Sequence, residues 1–277
     1  MEFNCRKCGQ KFDLYDIELC PECQKELVEI CSEVYKLQPE KIRKIDQFGM
    51  KLDSILSQSA YISESFHGNA AAFFGGYDGV GLLSKFFGQR QVVLFELDTR
   101  VLSWWQHIGK EYDFEVLTYQ YDALQSVPDE FINSGKDDKI DCWRTDPPFN
   151  CSGMLCFLNR ILYLNTNGAP IYLVIPYGPK WARLLKHNIF QLLRDNKIRI
   201  IGVSSDKYEY LDKDAPDSFI YKMKASPPIL GNSNFPFEIK GATYDFSESP
   251  FGCHQYSRCK KWRDEWDNEI QKEKFFK

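Results

Sequence analysis

Two consecutive prolines, Pro147 and Pro148, constrain the fold of this chain more than any other feature. They follow residues 139–144, a short mixed run that can form a strand. Proline fixes φ and has no N–H group, so this strand cannot continue through them as an interior part of a sheet. The sequence therefore predicts a strand that ends at Asp146, followed by a rigid turn that carries the ring of Phe149. In isolation, the same residues would also suit a proline-rich turn after an edge strand.

The turn after this strand has the chemistry of an acceptor site. Ligands of open α/β sheets bind outside the carboxyl ends of the strands. Free backbone carbonyls can accept hydrogen bonds from an amine, a carboxylate can hold or remove its proton, and an aromatic ring can cover its face. We therefore predict Asp146 and Phe149 as catalytic residues, and Pro147 and Pro148 as part of the surface that binds the acceptor.

Length and composition limit the class of protein. The chain has 277 residues, 43% of them apolar, and a net charge of −4. This length suits one α/β domain with an appendage. The charge argues against binding of nucleic acid through a global positive field, but a local basic patch leaves nucleic acid open as a partner. The sequence contains neither an apolar run long enough to span a membrane nor an apolar signal core, so we expect a cytoplasmic protein without a membrane partner.

Four of the ten cysteines form two C-x-x-C pairs, Cys5 with Cys8 and Cys20 with Cys23. The pairs resemble the two knuckles of a zinc ribbon, in which four thiolates close a tetrahedral Zn(II) site. So small a module cannot bury enough surface to fold alone, and the metal would supply its folding free energy. We predict a structural zinc ribbon over residues 1–25, with a surface for a partner protein; a redox dithiol is the alternative.

A glycine-rich loop opens the main domain. Gly75 and Gly76 directly follow the small and aromatic run 70–74, which suits a buried parallel strand. Glycines at a strand-to-helix turn let the backbone approach a ligand closely. The next predicted strand, residues 91–98, carries Glu96 about 20 residues beyond the loop, the spacing at which a carboxylate reaches ribose hydroxyls. The pattern therefore predicts a nucleoside site.

The remaining elements alternate in the manner of an α/β domain. A third strand, residues 114–122, ends in Asp122, which could contact the amino group of adenine or simply cap the next helix. The later elements are a helix at 153–165, a strand at 171–176, a helix at 181–196 and strands at 198–203 and 218–223. No helix fits between the last two strands, so they could pair as an antiparallel hairpin.

The chain therefore divides into four predicted regions. A helical connector at 26–65, with apolar residues at spacings of three and four, follows the ribbon and either packs it on the main domain or forms part of a lid. The main domain at 66–224 is α/β, with a seven-stranded sheet and helices on both faces. A C-terminal extension at 225–277 could cover the acceptor site.

The order of these signals resembles that of class I S-adenosylmethionine-dependent transferases, which have a Rossmann-like fold. Over residues 66–224, the runs Gly75-Gly76-Tyr77-Asp78, Phe95-Glu96-Leu97-Asp98 and Thr145-Asp146-Pro147-Pro148-Phe149 are similar to the catalytic domain of branched-chain polyamine synthases. The stretch Tyr208-Glu209-Tyr210 also resembles an element of that family. These enzymes are aminopropyltransferases that use decarboxylated S-adenosylmethionine. The resemblance implies that Gly75, Gly76, Asp78, Glu96 and Asp122 bind the donor.

The chain departs from the family pattern in the glycine loop. The pattern has an acidic Gly-Asp-Asp-Asp loop, but Gly76 and Tyr77 replace two of its acids, so only Asp78 remains. Clustered carboxylates favour the bare ammonium of a decarboxylated donor and repel a donor that keeps its carboxylate. The departure points toward intact S-adenosylmethionine and transfer of a 3-amino-3-carboxypropyl group. Transferases that modify the phosphate of peptide-nucleotide antibiotics of the microcin C type have similar length and composition, so the acceptor is either such a small molecule or a polyamine.

Two other functions compete with alkyl transfer. The Asp-Pro-Pro-Phe motif also resembles that of methyltransferases that act on amino groups, here of RNA, DNA or protein, with Lys260, Lys261 and Arg263 as contacts. A catalytically inactive binding module on the same fold is the third hypothesis. Tyr177, which follows the fifth strand, is predicted to line the acceptor pocket, with ordinary packing as the alternative.

Overall fold

The computed structural model describes residues 3–4, 11–12, 20–41, 47, 49–63, 65, 70–84, 89, 91–123, 129–132, 139–147, 151–177, 190, 193–194, 198–205, 207–211 and 217–225. Most of the helix predicted at 181–196 lies outside these residues. So does the C-terminal extension from residue 226 onward.

The elements follow the chain in this order: β1 (Phe3–Asn4), β2 (Lys11–Phe12), α1 (Pro21–Lys36), α2 (Leu52–Ser63), β3 (Ala70–Phe74), α3 (Val80–Ser84), β4 (Gln91–Glu96), α4 (Thr99–Glu111), β5 (Glu115–Gln120), α5 (Asp129–Ile132), β6 (Ile140–Thr145), α6 (Cys151–Leu164), β7 (Ile171–Pro176), β8 (Ile198–Val203) and β9 (Ser218–Ala225). None of the helices in the described part of the chain is long and apolar enough to cross a membrane.

Strands β3 to β9 form one seven-stranded sheet with the order β5-β4-β3-β6-β7-β9-β8. Neighbouring strands are parallel from β5 to β7, and β9 runs antiparallel to both β7 and β8. The predicted seven-stranded sheet and the antiparallel pairing of its last two strands are confirmed. The insertion of β9 between β7 and β8 is a feature that the alternation of strands and helices does not reveal.

The direction in which strands are added reverses between β3 and β6. From β3 the chain proceeds outward to β4 and β5, and it then returns to place β6 on the other side of β3. Such a switch point leaves a crevice at the carboxyl ends of the two central strands, where ligands of α/β sheets bind. Strands β3, β6 and β7 are buried along their whole length, as parallel strands with both faces covered must be.

The N-terminal connector packs against the domain rather than extending away from it. Val34 and Cys31 of α1 and Ile55 of α2 belong to the same buried cluster as Trp104 and Leu94 of the main domain. The indole Nε1 of Trp104 donates a hydrogen bond to the carbonyl of Val34, at 3.1 Å. The connector is therefore part of the hydrophobic core on one face of the sheet.

The second cysteine pair belongs to a helix. Cys20 is the N-cap of α1 and Cys23 lies in its first turn, so the helix begins inside the region predicted as a ribbon. Pro21 explains the helix start, because its fixed φ and missing N–H suit the first helical position. Strands β1 and β2 pair antiparallel on either side of residues 5–10, which contain the first pair.

Candidate active site

The glycine loop and the Asp-Pro-Pro turn meet at the carboxyl ends of β3 and β6. Phe74 and Thr145 are paired across the two strands, and the hydroxyl of Thr145 donates to the carbonyl of Phe74 at 3.0 Å. Gly75 comes next, with φ of +77°, and a Cβ at that position would stand 3.9 Å from the backbone oxygen of Asp146. The sheet thus brings together two segments that are 71 residues apart in the sequence.

The glycine loop is held tightly against β4 and α4. The N–H of Gly75 donates to the carbonyl of Phe95 at 2.9 Å, and Trp105 Nε1 donates to the carbonyl of Gly76 at 2.8 Å. A Cβ on Gly76 would lie only 2.5 Å from Leu94 Cδ1, so no larger residue fits without movement. The close packing explains in steric terms why glycine stands here.

Glu96 lies at the end of β4 and ties the glycine loop to it. Its carboxylate accepts hydrogen bonds from three backbone N–H groups, those of Gly76 (2.9 Å), Leu97 (2.8 Å) and Asp98 (3.0 Å). Burial raises the pKa of Glu96, and these three donors oppose the rise. The predicted ribose-binding acid is therefore next to the predicted loop.

Asp98, two residues beyond Glu96, is committed to the connector and α4. Its carboxylate accepts from Gln47 Nε2 at 2.9 Å and pairs with Arg100, whose Nη2 lies 2.6 Å away. Burial alone would raise the pKa of Asp98, but the hydrogen bonds from Arg100 and Gln47 lower it. It also caps the N-terminus of α4.

Both oxygens of Asp78 are engaged within the protein. Oδ1 accepts from the N–H of Val80 at 3.0 Å, and Oδ2 pairs with Arg144 Nη1. The side chain is almost fully buried. The structure therefore places the one remaining acid of the glycine loop against β6, with its charge compensated.

Arg144 is the buried cation at the centre of this cluster. It has no exposed side-chain surface, it donates through Nη2 to Gln58 Oε1 at 2.7 Å, and the same nitrogen lies 3.7 Å from Asp146 Oδ2. Its Nε has no hydrogen-bond partner in the described part of the chain. Residues two apart on a strand face the same side, so Arg144 and Asp146 point together into the crevice region beside Asp78.

Asp146 is nearly enclosed, with 14% of its side chain exposed. The hydroxyl of Tyr210 donates to its Oδ2 at 2.8 Å. Burial raises the pKa of Asp146 to about 7; Arg144 and the bond from Tyr210 lower it, and Asp78 raises it. A carboxyl group that titrates near neutrality can accept or release a proton at physiological pH.

The sequence patterns did not single out Gln58 or Arg144. Tyr210 was noted only through the family resemblance. An arginine inside a fully buried strand is a usable signal, because a buried cation needs a carboxylate partner. Gln58 carries no such signal, since its partner Arg144 is 86 residues away in the sequence.

The other predicted residues occupy separate places. Asp122 follows β5 and is half-buried, and Pro147 is buried directly after Asp146. Tyr177 follows β7 with 62% of its surface exposed, and its ring packs edge-on against Phe219 at 5.2 Å between centroids. Pro148 and Phe149 lie outside the described residues.

The predicted zinc ligands are only half described. Cys20 and Cys23 are buried at the start of α1, whereas Cys5 and Cys8 lie outside the described residues. Within the residues that are described, no group of three or more His, Cys, Asp or Glu side chains is arranged to hold a metal ion. The structure thus does not establish the zinc ribbon.

Comparison with known proteins identifies a family and a fold. The model of the branched-chain polyamine synthase A C-terminal domain family matches residues 26–230. The branched-chain polyamine synthase of Thermus thermophilus, solved with N4-aminopropylspermidine and 5′-methylthioadenosine, is similar with a TM-score of 0.61 and 18% identity over 74% of this chain and 68% of that one. A candidate RNA methyltransferase from Pyrococcus horikoshii is similar with a TM-score of 0.54 and 16% identity over 73% of this chain and 98% of that one. No curated protein sequence matches.

These structural similarities, at low sequence identity, define the fold. The seven-stranded mixed sheet with its helices is the Rossmann-like fold of class I methyltransferases, as the resemblance implied. The matched range includes the glycine loop, Glu96, the Arg144 cluster and Tyr210.

Proposed function

Because this chain belongs to the branched-chain polyamine synthase A C-terminal domain family, we propose that it transfers an alkyl arm from S-adenosylmethionine to a nucleophilic acceptor. The arm is the 3-amino-3-carboxypropyl group of the intact donor, or the aminopropyl group if the donor is decarboxylated. The acceptor is a small molecule, either a polyamine amine or the phosphate of a peptide-nucleotide.

The observation that carries the choice of donor is the ion pair between Asp78 and Arg144. A decarboxylated donor presents an ammonium group, which a free carboxylate in the loop would favour. Asp78 is the one acid left in that loop, and both of its oxygens are already engaged. A donor that keeps its own carboxylate meets no uncompensated loop acid there, which supports transfer of the carboxylated arm.

The Thermus thermophilus enzyme supports transfer of an alkyl arm rather than a methyl group. It was solved with 5′-methylthioadenosine, the sulfur compound that remains when the longer arm leaves the sulfonium. Its other ligand, N4-aminopropylspermidine, is a polyamine and makes an amine the first acceptor class to examine for this chain. The polyamine bound to that enzyme is thus the model for the acceptor proposed here.

In the proposed mechanism, Gly75, Gly76, Glu96 and Asp122 hold the nucleoside part of the donor at the switch point. Asp146 orients the acceptor and, where the nucleophile is an amine, takes its proton, with Tyr177, Pro147, Pro148 and Phe149 as the acceptor surface. The acceptor's lone pair forms a bond to the arm carbon attached to sulfur, and the sulfur–carbon bond breaks with its electron pair going to sulfur. Because the sulfonium is a good leaving group, positioning and exclusion of water supply most of the rate enhancement.

Product analysis tests this function. The protein is incubated with intact and decarboxylated S-adenosylmethionine and a panel of polyamine and nucleotide-phosphate acceptors, and the sulfur product is identified by mass spectrometry. Methylthioadenosine is expected, with a matching mass gain on the acceptor. S-adenosylhomocysteine would instead mean methyl transfer and favour the N-methyltransferase alternative, with RNA, DNA and protein as the next acceptors to test, and no donor consumption would favour a binding module.

We also propose that Cys5, Cys8, Cys20 and Cys23 hold a structural Zn(II), with the module as a surface for a partner protein. The support is the position of Cys20 and Cys23 at the start of α1, because a helix N-terminus stabilises thiolates, the form that binds zinc. One equivalent of zinc by elemental mass spectrometry, lost in Cys20→Ser, is the expected result. Metal-free protein of unchanged melting temperature would contradict it.

A further inference from the structure

A short segment, residues 208–211, forms a strap that joins the connector to the sheet. On one side it pairs with residues 49–51: the N–H of Leu211 donates to the carbonyl of Gly49 at 2.7 Å, and the N–H of Lys51 donates to that of Glu209 at 3.0 Å. On the other side, Tyr208 and Ser218 exchange two backbone hydrogen bonds of 2.7 and 2.9 Å. The strap is thus fixed from both sides.

The strap positions Tyr210 in the active site. It forms an antiparallel bridge with Met50, and only 7% of its surface is exposed. Its hydroxyl reaches Asp146 Oδ2 at 2.8 Å, across 64 residues of sequence. The strap's backbone is anchored on both sides, so Tyr210 is held in place by contacts other than its bond to Asp146.

The groups around Asp146 come from three elements. Arg144 of β6 contributes a cation 3.7 Å from Oδ2, Asp78 of the glycine loop contributes a carboxylate paired with that cation, and Tyr210 contributes a neutral donor. Gln58 of α2 acts indirectly by holding Arg144. Arg144 and Tyr210 both contact Oδ2 of Asp146, and no hydrogen bond joins its Oδ1 to the described residues.

We propose that Tyr210 is a positioning residue that holds Oδ2 of Asp146, so that Oδ1 receives the proton of the acceptor. This inference rests on the proposed function, in which Asp146 is the proton acceptor. For an amine acceptor, the proton moves from the nucleophilic nitrogen to Oδ1 as the new bond to carbon forms. The phenol stays protonated throughout and stabilises the carboxylate before the transfer.

The proposal makes a prediction about stability that does not require turnover. A hydroxyl bonds more strongly to a carboxylate than to a carboxylic acid. Tyr210→Phe should therefore lower the melting temperature more at about pH 8.5, where Asp146 is ionised, than at about pH 5.5, where it is protonated, because its pKa is about 7. In an Asp146→Asn background, the loss should be the same at both pH values.

Tyr172→Phe is the matched control. Tyr172 is fully buried, and its hydroxyl lies 2.8 Å from that of Ser65, so the variant also loses a buried tyrosine hydroxyl. Its loss of melting temperature should not depend on pH in this way. An equal loss for Tyr210→Phe at both pH values in the wild-type background would overturn the proposal.

Kinetics provide a second readout once the acceptor is known. Since the bond from Tyr210 lowers the pKa of Asp146, Tyr210→Phe should move the acid limb of the kcat/KM profile to higher pH and lower kcat by about tenfold or more. A lower kcat with an unmoved acid limb would mean a purely structural role. If the wild type instead released S-adenosylhomocysteine, the proposed function would fail. The stability measurements would still show whether the Tyr210 hydroxyl bonds to ionised Asp146.

Discussion

The guanidinium of Arg144 forms a fully enclosed ion pair with the carboxylate of Asp78. The pair joins the strand that carries Asp146 to the loop that follows β3. A buried charge that loses its partner is costly, whereas removing both charges together is often tolerated. The pair therefore stabilises the fold and, because it neutralises the charge of Asp78, also affects which donor the loop prefers.

Removal of one partner should destabilise the protein strongly. Arg144→Met leaves Asp78 buried without its cation, and we expect a loss of about 3–5 kcal/mol in the free energy of unfolding, measured with urea. The double variant Arg144→Met with Asp78→Asn should recover much of that loss. If the double variant were as unstable as the single one, packing rather than charge would explain the effect.

Restoring an acid to the glycine loop should change the donor that the protein prefers. Tyr77 stands where the family pattern has an acid, and it is partly exposed beside the compensated Asp78. Tyr77→Asp adds an uncompensated carboxylate, so we expect the affinity ratio of decarboxylated over intact donor to rise about tenfold, by isothermal titration calorimetry. Tyr77→Asn is the uncharged control. An equal change in both variants would contradict a charge effect.

The local parts of this site were readable from the sequence. Three features could be interpreted from a few neighbouring residues: the apolar run before Gly75, the acid at the end of β4 and the prolines after Asp146. The structure has a strand end at each place. Arg144 stands out as a cation in a buried strand, but its partners lie 66 and 86 residues away and could not be identified from the sequence. Such contacts depend on strand order, which local periodicity does not determine.

The N-terminal boundary shows a different limit. The spacing of Cys20 and Cys23 alone is compatible with a β-knuckle or with the first turn of a helix. Pro21 and the acidic Glu22 favour a helix start, and the sequence interpretation gave more weight to the cysteine spacing than to these two residues. In the structure α1 begins at Pro21, and Cys20 and Cys23 lie together at its N-terminus, so the helix start and a metal-binding pair are compatible.

Gly76→Ala should impair both stability and donor binding. The added Cβ would meet Leu94 at 2.5 Å and Trp105 at 3.0 Å, and overpacking of this kind costs about 1–3 kcal/mol. We expect a lower melting temperature and at least about tenfold weaker binding of the donor, since the loop must shift. Gly168→Ala, strained by a φ of +68° in a turn before β7, is the control that should lose stability but keep donor affinity. Unchanged donor affinity in Gly76→Ala would show that the glycine loop does not form part of the donor site.

The last prediction concerns the pH dependence of stability. The pKa of Asp146 is about 7 in the folded protein and about 3.9 in an unfolded chain. Between these values the folded state binds more protons, so this group's contribution to stability is present at low pH and is lost as the pH rises toward 7. Asp146→Asn removes this dependence, because asparagine does not titrate. The free energy of unfolding of the wild type relative to Asp146→Asn should therefore fall from about pH 4 to about pH 7 and stay level above it, in urea unfolding followed by circular dichroism. The same variant should lose at least about 100-fold in turnover. A constant stability difference across this range would show that Asp146 is ionised throughout, and full turnover by Asp146→Asn would show that another group takes the proton.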